Sequence, residues 1–113
     1  MTTTMSEEMR LECLHNCTEC HQVCLAMMVH PDVVGALEDD DLKLLLNCSE
    51  ICATSADFLD TSSAYHRDVC GVCTKICAAC ADMCDRTGIT VLRSCAQTCR
   101  TCADSCRRMS EMT

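Results

Sequence analysis

The spacing of the cysteines limits what this chain can become more than any other feature. They fall at Cys13, Cys17, Cys20 and Cys24; at Cys48 and Cys52; at Cys70, Cys73, Cys77, Cys80 and Cys84; and at Cys95, Cys99, Cys102 and Cys106. In the first, third and fourth groups the steps alternate between three and four, and ten such steps cover 36 residues, a mean of 3.6. That is the period of an α-helix. Steps of three and four return a side chain to one helix face, and their alternation is the a/d pattern of helices packed in a bundle. A strand would need steps of two, and no two cysteines stand two apart. The spacing therefore predicts four helices, each with a stripe of sulfur on one face. Short connections make neighbours antiparallel. The expected fold is all-α, an antiparallel up-down-up-down four-helix bundle with a Cys-lined core, one domain over residues 1–113.

The punctuation fits this reading. The first helix is expected from Ser6 to Val29, with Thr4 and Glu7 as a capping box and Pro31 after its last turn. Residues 31–37 read as a short turn of helix. The run Glu38-Asp39-Asp40-Asp41 suits the positive start of a second helix, Asp40 to Asp60. That helix has only two cysteines, and Leu45, Ser55 and Leu59 continue their stripe. Leu44-Leu45-Leu46 is wider than one stripe, so a second buried face and an oligomer contact are expected there. Thr61-Ser62-Ser63 offers N-caps for a third helix ending at Arg86, with Gly88 as its C′ residue. Gly71 lies beside the stripe, where it would permit close helix contact. The fourth helix is expected from Ile89 to Met109.

Composition decides what the sulfur is for. Fifteen residues are Cys and eight Met, while Phe and Tyr occur once each and Trp not at all. Sulfur thus replaces much of the usual core filling. Leu, Ile or Val would pack such positions better, and the reactivity of Cys usually matters more than its packing. A disulfide scaffold is loop-rich, but this chain has three Gly and one Pro. Cysteines one turn apart on a helix project nearly parallel and bridge only under strain. The net charge of −8, with nine basic residues, disfavours nucleic acid. No run approaches the ~18 apolar residues of a membrane span. The opening residues contain neither an apolar export region nor a twin arginine. The expectation is a cytoplasmic protein with reduced thiols, where a Cys pattern means metal or redox chemistry.

Seven C-x-x-x-C pairs occur (13/17, 20/24, 48/52, 73/77, 80/84, 95/99 and 102/106), and C-x-x-C steps link them along each stripe. Each pair can hold an ion between two sulfurs, and shared thiolates make a chain of sites. Soft thiolates select Cu(I), zinc or iron–sulfur. Zinc prefers closed four-ligand sites, and the stripes do not divide into four-cysteine knuckles. Iron–sulfur ligation prefers loops such as the ferredoxin run ending in Cys-Pro, which is absent here. Cys17 to His21 match the haem c pattern C-x-x-C-H, but as successive rungs of one stripe they need no haem. Cu(I) accepts two or three thiolates, and a low coordination number raises the ions held per sulfur. The leading reading is a store of multiple Cu(I) ions per chain without turnover. The alternatives are an iron–sulfur or thiol-based redox protein, ferredoxin-like, or a zinc store. One helical step beyond the cysteines lie further donors, His66, Met109 and Met27. His66 and Met109 share an end with Met5, Met9 and Met112, while Met27, Met28 and His30 share the other. Either cluster could pass ions inward. His15 and His21 lie off the stripe and are expected to be mostly exposed.

The segments C-A-A-C-A-D-M-C and C-A-Q-T-C-R-T-C-A-D-S-C-R-R-M, with the similar runs before them, resemble the cytosolic copper storage proteins over Cys13 to Met109. The resemblance implies a four-helix bundle, commonly a homotetramer, that stores many Cu(I) ions in its core. It is consistent with copper exchange with a chaperone or chelator and with no nucleic-acid or membrane partner. The two-cysteine second helix departs from richer relatives and implies a lower capacity.

Overall fold

The computed structural model describes residues 5–112, with side chains from Ser6 onward. Four helices account for most of them: α1 (Met5–Met28), α2 (Asp39–Asp60), α3 (His66–Arg86) and α4 (Leu92–Glu111). Each packs on its neighbours in the chain, and α4 closes on α1. The diagonal pairs do not approach through their backbones among the described residues. The result is the expected up-down-up-down bundle, 49 Å long and about 20 Å across (extents 49 × 22 × 19 Å). The space between the diagonals is filled by side chains from all four stripes.

The punctuation largely holds. Gly88 follows α3 with φ +71°, a left-handed value that suits glycine at C′. Asp39, Asp40 and Asp41 occupy the first turn of α2, beside the unpaired N–H groups of its start. Thr4 of the expected capping box lies outside the described residues. Four details differ. The N-cap of α3 is Tyr65 rather than one of Thr61, Ser62 and Ser63, and Ser63 Oγ instead accepts from Tyr65 N–H (3.1 Å). α4 begins at Leu92 rather than Ile89, because residues 89–91 form a turn in which Leu92 N–H bonds to Ile89 O (3.0 Å). Residues 31–37 form turns rather than a turn of α-helix, closed by N–H groups of Val33 and Val34 on His30 O (both 2.9 Å). Gly71 makes no tight approach: a Cβ there would find Ser110 Cβ at an ordinary 3.9 Å.

The core is mostly sulfur. All fifteen cysteines have 0% exposure. The largest other fully buried side chains are Leu45, Leu59, Leu92 and Val33; Leu59 and Leu92 lie past the outermost cysteines of their helices, while Leu45 stands on α2 level with Cys80. Aliphatic burial, worth roughly 1.5–3 kcal/mol per side chain, thus seals the ends and leaves the middle to thiols. Outside, Arg86 pairs with Asp41 (2.8 Å) and Arg100 with Asp85 (2.6 Å).

Candidate metal centre

Helix direction fixes which sulfurs meet. Because α1 and α4 are antiparallel, their cysteines pair in opposite order: Cys13 with Cys106 (3.6 Å), Cys17 with Cys102 (3.7 Å), Cys20 with Cys99 (3.7 Å) and Cys24 with Cys95 (4.0 Å). On the other side Cys48 meets Cys77 (3.7 Å) and Cys52 meets Cys73 (3.8 Å). Sulfurs then join the diagonals that the backbones do not, Cys52 to Cys102 at 3.8 Å and Cys48 to Cys99 at 3.9 Å. All fifteen thiols are free, and these separations are well beyond the ~2.05 Å of an S–S bond.

The pairs assemble into groups whose sulfurs all lie within 4.8 Å of one another: Cys17, Cys73, Cys102 and Cys106; Cys20, Cys52, Cys77 and Cys102; Cys20, Cys24, Cys48 and Cys99; and Cys13, Cys70 and Cys106. Cys20, Cys102 and Cys106 each belong to two groups. Sulfurs shared in this way produce a connected column, not separate sites. Cys80, Cys84 and Cys95 belong to none of these groups. They surround Cys24 at its end of the column, with Cys95 4.0 Å from it.

The chemistry of the groups narrows the metal. Four thiolates around zinc at ~2.3 Å would stand about 3.8 Å apart, so a single group could close around zinc. The shared sulfurs prevent all groups from closing at once as independent tetrahedra. Sulfurs already in contact leave no room for inorganic sulfide between them, which disfavours an iron–sulfur cluster. A metal content spread along the column requires low coordination and bridging thiolates, as Cu(I) accepts.

Hydrogen bonds push neighbouring thiols of the column in opposite directions. Cys13 is lowered from the ordinary thiol value, chiefly by its hydrogen bond with Cys106, whereas Cys17 is raised, chiefly by Cys102. Cys95 is lowered to about 5, with the hydrogen bond from Cys24 the largest cause. Cys70 is raised to about 12: hydrogen bonding to Cys106 lowers it, but hydrogen bonding to Cys13 and burial together outweigh that. Cys84 is likewise raised to about 12, where Cys80 lowers it and Cys95 and burial prevail. A metal that binds the column must displace the protons these thiols keep.

The histidines and methionines divide between the two ends. His66 is half-buried, and its Nδ1 lies 2.8 Å from Ser63 O. A carbonyl only accepts, so Nδ1 carries the hydrogen and Nε2 of the neutral ring keeps its lone pair. His66 lines a cavity of about 490 Å³ with Arg10, Arg67, Met109 and Met112. Met109 is 3% exposed. The side chain of Met5, expected at this end, lies outside the described residues. At the other end Met27 is buried and Met28 half-buried, as placed from sequence. There the backbone N–H of Asp32 donates to His30 Nδ1 (3.0 Å). The hydrogen of neutral His30 therefore sits on Nε2, and its one lone pair, on Nδ1, is engaged by the backbone.

Two points correct the sequence reading. His15 is exposed as expected, against Glu19 (3.4 Å). His21, however, is half-buried. Its Nδ1 reaches Ser49 O (2.9 Å), and Ser49 Oγ donates to His21 O (3.1 Å), clamping α1 to α2 beside the column. Its place one position past Cys20 gave no sign of this, because the partner is supplied by another helix. Met83 was also missed. It is 2% exposed, and the three-residue step from Cys20 to Cys17 has its counterpart from Cys80 to Met83, which could have found it.

Comparison with known proteins agrees with this geometry. A family model described as copper storage protein matches residues 2–111. A crystal structure of the Nmul_A1745 protein from Nitrosospira multiformis superposes with a TM-score of 0.85 at 39% identity, covering 91% of this chain and 95% of that one. A cytosolic copper storage protein from Streptomyces lividans, in a structure of its loading with five coppers, gives a TM-score of 0.81 at 27% identity over 96% of this chain and 97% of that one. The uncharacterized cysteine-rich protein YhjQ of Bacillus subtilis is 30% identical over 66 residues, 58% of this chain and 56% of its own length. The match therefore spans little more than half of that curated relative.

Proposed function

The chain belongs to the copper storage protein family, and from that premise we propose that its core stores several Cu(I) ions per chain on thiolates of the fifteen column cysteines. The observation that carries this is the continuity of the column: fully buried sulfurs from four helices, in groups within 4.8 Å that share members. Sulfurs arranged this way increase the number of ions held and shield them from water. They offer no nucleophile paired with a base, so the role is stoichiometric. The core acts as a buffer, store or sink for copper and not as an enzyme.

Copper enters at the end that holds His66 and Met109. The free Nε2 lone pair of His66 and the thioether of Met109 border a cavity of about 490 Å³ outside the Cys13–Cys70–Cys106 group. Imidazole and thioether bind Cu(I) more weakly than thiolate, so such donors can accept an ion and pass it on. Met27 serves at the far end as an occasional ligand beyond Cys24 or as packing. We also take residues 1–113 as one domain and the protein as cytoplasmic. Among the described residues no helix is long and apolar enough to cross a membrane. A homotetramer is favoured by Leu42 (42% exposed) and Leu46 (41% exposed) on the outer face of α2 and Leu11 (46%) and Leu25 (43%) on α1. Copper would reach the mouth from a chaperone or a small chelator.

Anaerobic titration of the fully reduced protein with Cu(I) against a competing chelator tests the reading. Tight uptake of many ions per chain with helicity retained is expected. Saturation after a few ions, or the visible absorption of an iron–sulfur centre in the purified protein, would sink it.

A further inference from the structure

The register between α2 and α3 continues past its last cysteine pair. Cys48 meets Cys77 and Cys52 meets Cys73. One more three-residue step along each antiparallel helix brings Ser55 level with Cys70. Cys70 belongs to the one group that has three sulfurs instead of four, and none of the three comes from α2. At the rung where α2 would supply a fourth sulfur, it supplies a hydroxyl.

That hydroxyl is anomalous. Ser55 has 0% exposure, and its Oγ has no hydrogen-bond partner among the described residues, not even a carbonyl of its own helix. Ser105, the buried serine of α4, donates to Cys102 O at 3.1 Å. A buried donor without an acceptor is unfavourable, so a structure that keeps one invites a search for the acceptor that appears in another state. Neutral thiols are weak acceptors. Thiolates are charged acceptors, and hydrogen bonds to them are much stronger. The neighbouring sulfurs become thiolates when a soft metal displaces their protons. The hydroxyl oxygen itself is too hard a donor to compete as a Cu(I) ligand.

We propose that Ser55 is a positioning residue for the outermost sulfur group: its hydroxyl donates to a copper-bound thiolate of the Cys13–Cys70–Cys106 site and thereby favours the loaded over the empty core. The proposal rests on the copper-storage reading. It makes Ser55 disadvantageous without metal and advantageous with it, and keeps the ion nearest the mouth three-coordinate. With no fourth sulfur at hand to rebind it, such an ion is displaced more readily than one in a four-sulfur group.

The opposite signs make the test decisive. In the full-length protein, Ser55→Ala should raise the melting temperature of the metal-free form, because the unpaired hydroxyl is gone. The same variant, loaded with Cu(I), should take up as many ions as the parent but lose the first-released ion to a competing chelator about ten-fold faster, the effect of one hydrogen bond to a charged acceptor. Ser55→Cys should add a fourth thiol from which a three-coordinate ion can draw its ligands, and slow the same release phase. An unchanged or lowered melting temperature of metal-free Ser55→Ala would show that the hydroxyl is already partnered and overturn the proposal, as would an unchanged release phase in both variants. Failure of the parent protein to bind many Cu(I) ions would instead overturn the storage reading, while the metal-free melting comparison would remain interpretable.

Discussion

The two ends of the bundle are built from the same alphabet and do different things. At one end α1 begins and α4 finishes, the sulfur groups are compact, and His66 and Met109 border an open cavity. At the other, Leu45, Leu92 and Val33 are buried with Met27 and Met83, while Cys80, Cys84 and Cys95 are spread more widely. Each end has a histidine, His66 in the first turn of α3 and His30 in the turn that follows α1. Only His66 is held by a carbonyl, which leaves its Nε2 lone pair free, whereas His30 receives a backbone N–H on Nδ1 and is engaged in its turn. The lesson is that donor type alone does not make a side chain ready for metal. Which ring nitrogen the local backbone occupies decides whether a histidine can bind metal at all.

Loss of the aliphatic seal should have the largest effect. Leu92→Ala removes a fully buried side chain from the closed end and should destabilise the metal-free protein by about 2–5 kcal/mol, with little change in the rate of copper entry. Chemical denaturation and loading kinetics on one preparation check both halves, and a large change in entry rate would put an entrance at the closed end. Next in size is the proton. Copper must displace protons from thiols such as Cys70 and Cys84, each raised to about 12. Their thiol form is favoured throughout the neutral range, so apparent Cu(I) affinity should rise with pH and fall as pH drops, by up to about ten-fold per unit for each proton released. In the metal-free protein the same raised values act in reverse: stability is retained below the ordinary thiol value of 9.0 and lost as pH rises from there toward 12. Competition titrations and thermal melts across this range give both slopes.

Single ligands separate the ends further. Cys106 belongs to two sulfur groups and Cys84 to none. Cys106→Ser should therefore remove more tightly held copper than Cys84→Ser, measured as ions retained against a strong chelator. Equal losses would mean that the compact groups are not the preferred sites. His66→Ala should slow loading several-fold without changing the final number of ions, while His30→Ala leaves the rate unaltered. Stopped-flow mixing with a coloured Cu(I) chelate distinguishes them. The smallest effect concerns the Arg86–Asp41 pair (2.8 Å), where Asp41 is 17% and Arg86 64% exposed. Arg86→Ala should cost at most about 1 kcal/mol at low salt and leave copper binding as it was.

The sequence by itself determined the helices and their inward faces, because a period of 3.6 written in one residue type admits no other secondary structure. It also put Gly88 at the end of α3 and Met27 and Met109 on the continuing stripes, where both are buried. Other features lay beyond a one-dimensional reading. Periodicity within a helix carries no register between helices, so it could not show that Cys13 faces Cys106 or that Cys20 and Cys102 each serve two groups. His21 was taken as exposed because its partner, Ser49, is distant in the chain. Gly71 suggested a close approach that the packing does not use. The tautomers of His66 and His30 follow from single backbone groups fixed only when the turns form. Ser55 was legible as a place on a stripe, but its unpartnered hydroxyl and its level with Cys70 exist only once α2 lies antiparallel to α3. The sequence thus specifies what each helix offers to the centre, and the packing of four helices decides which offers meet.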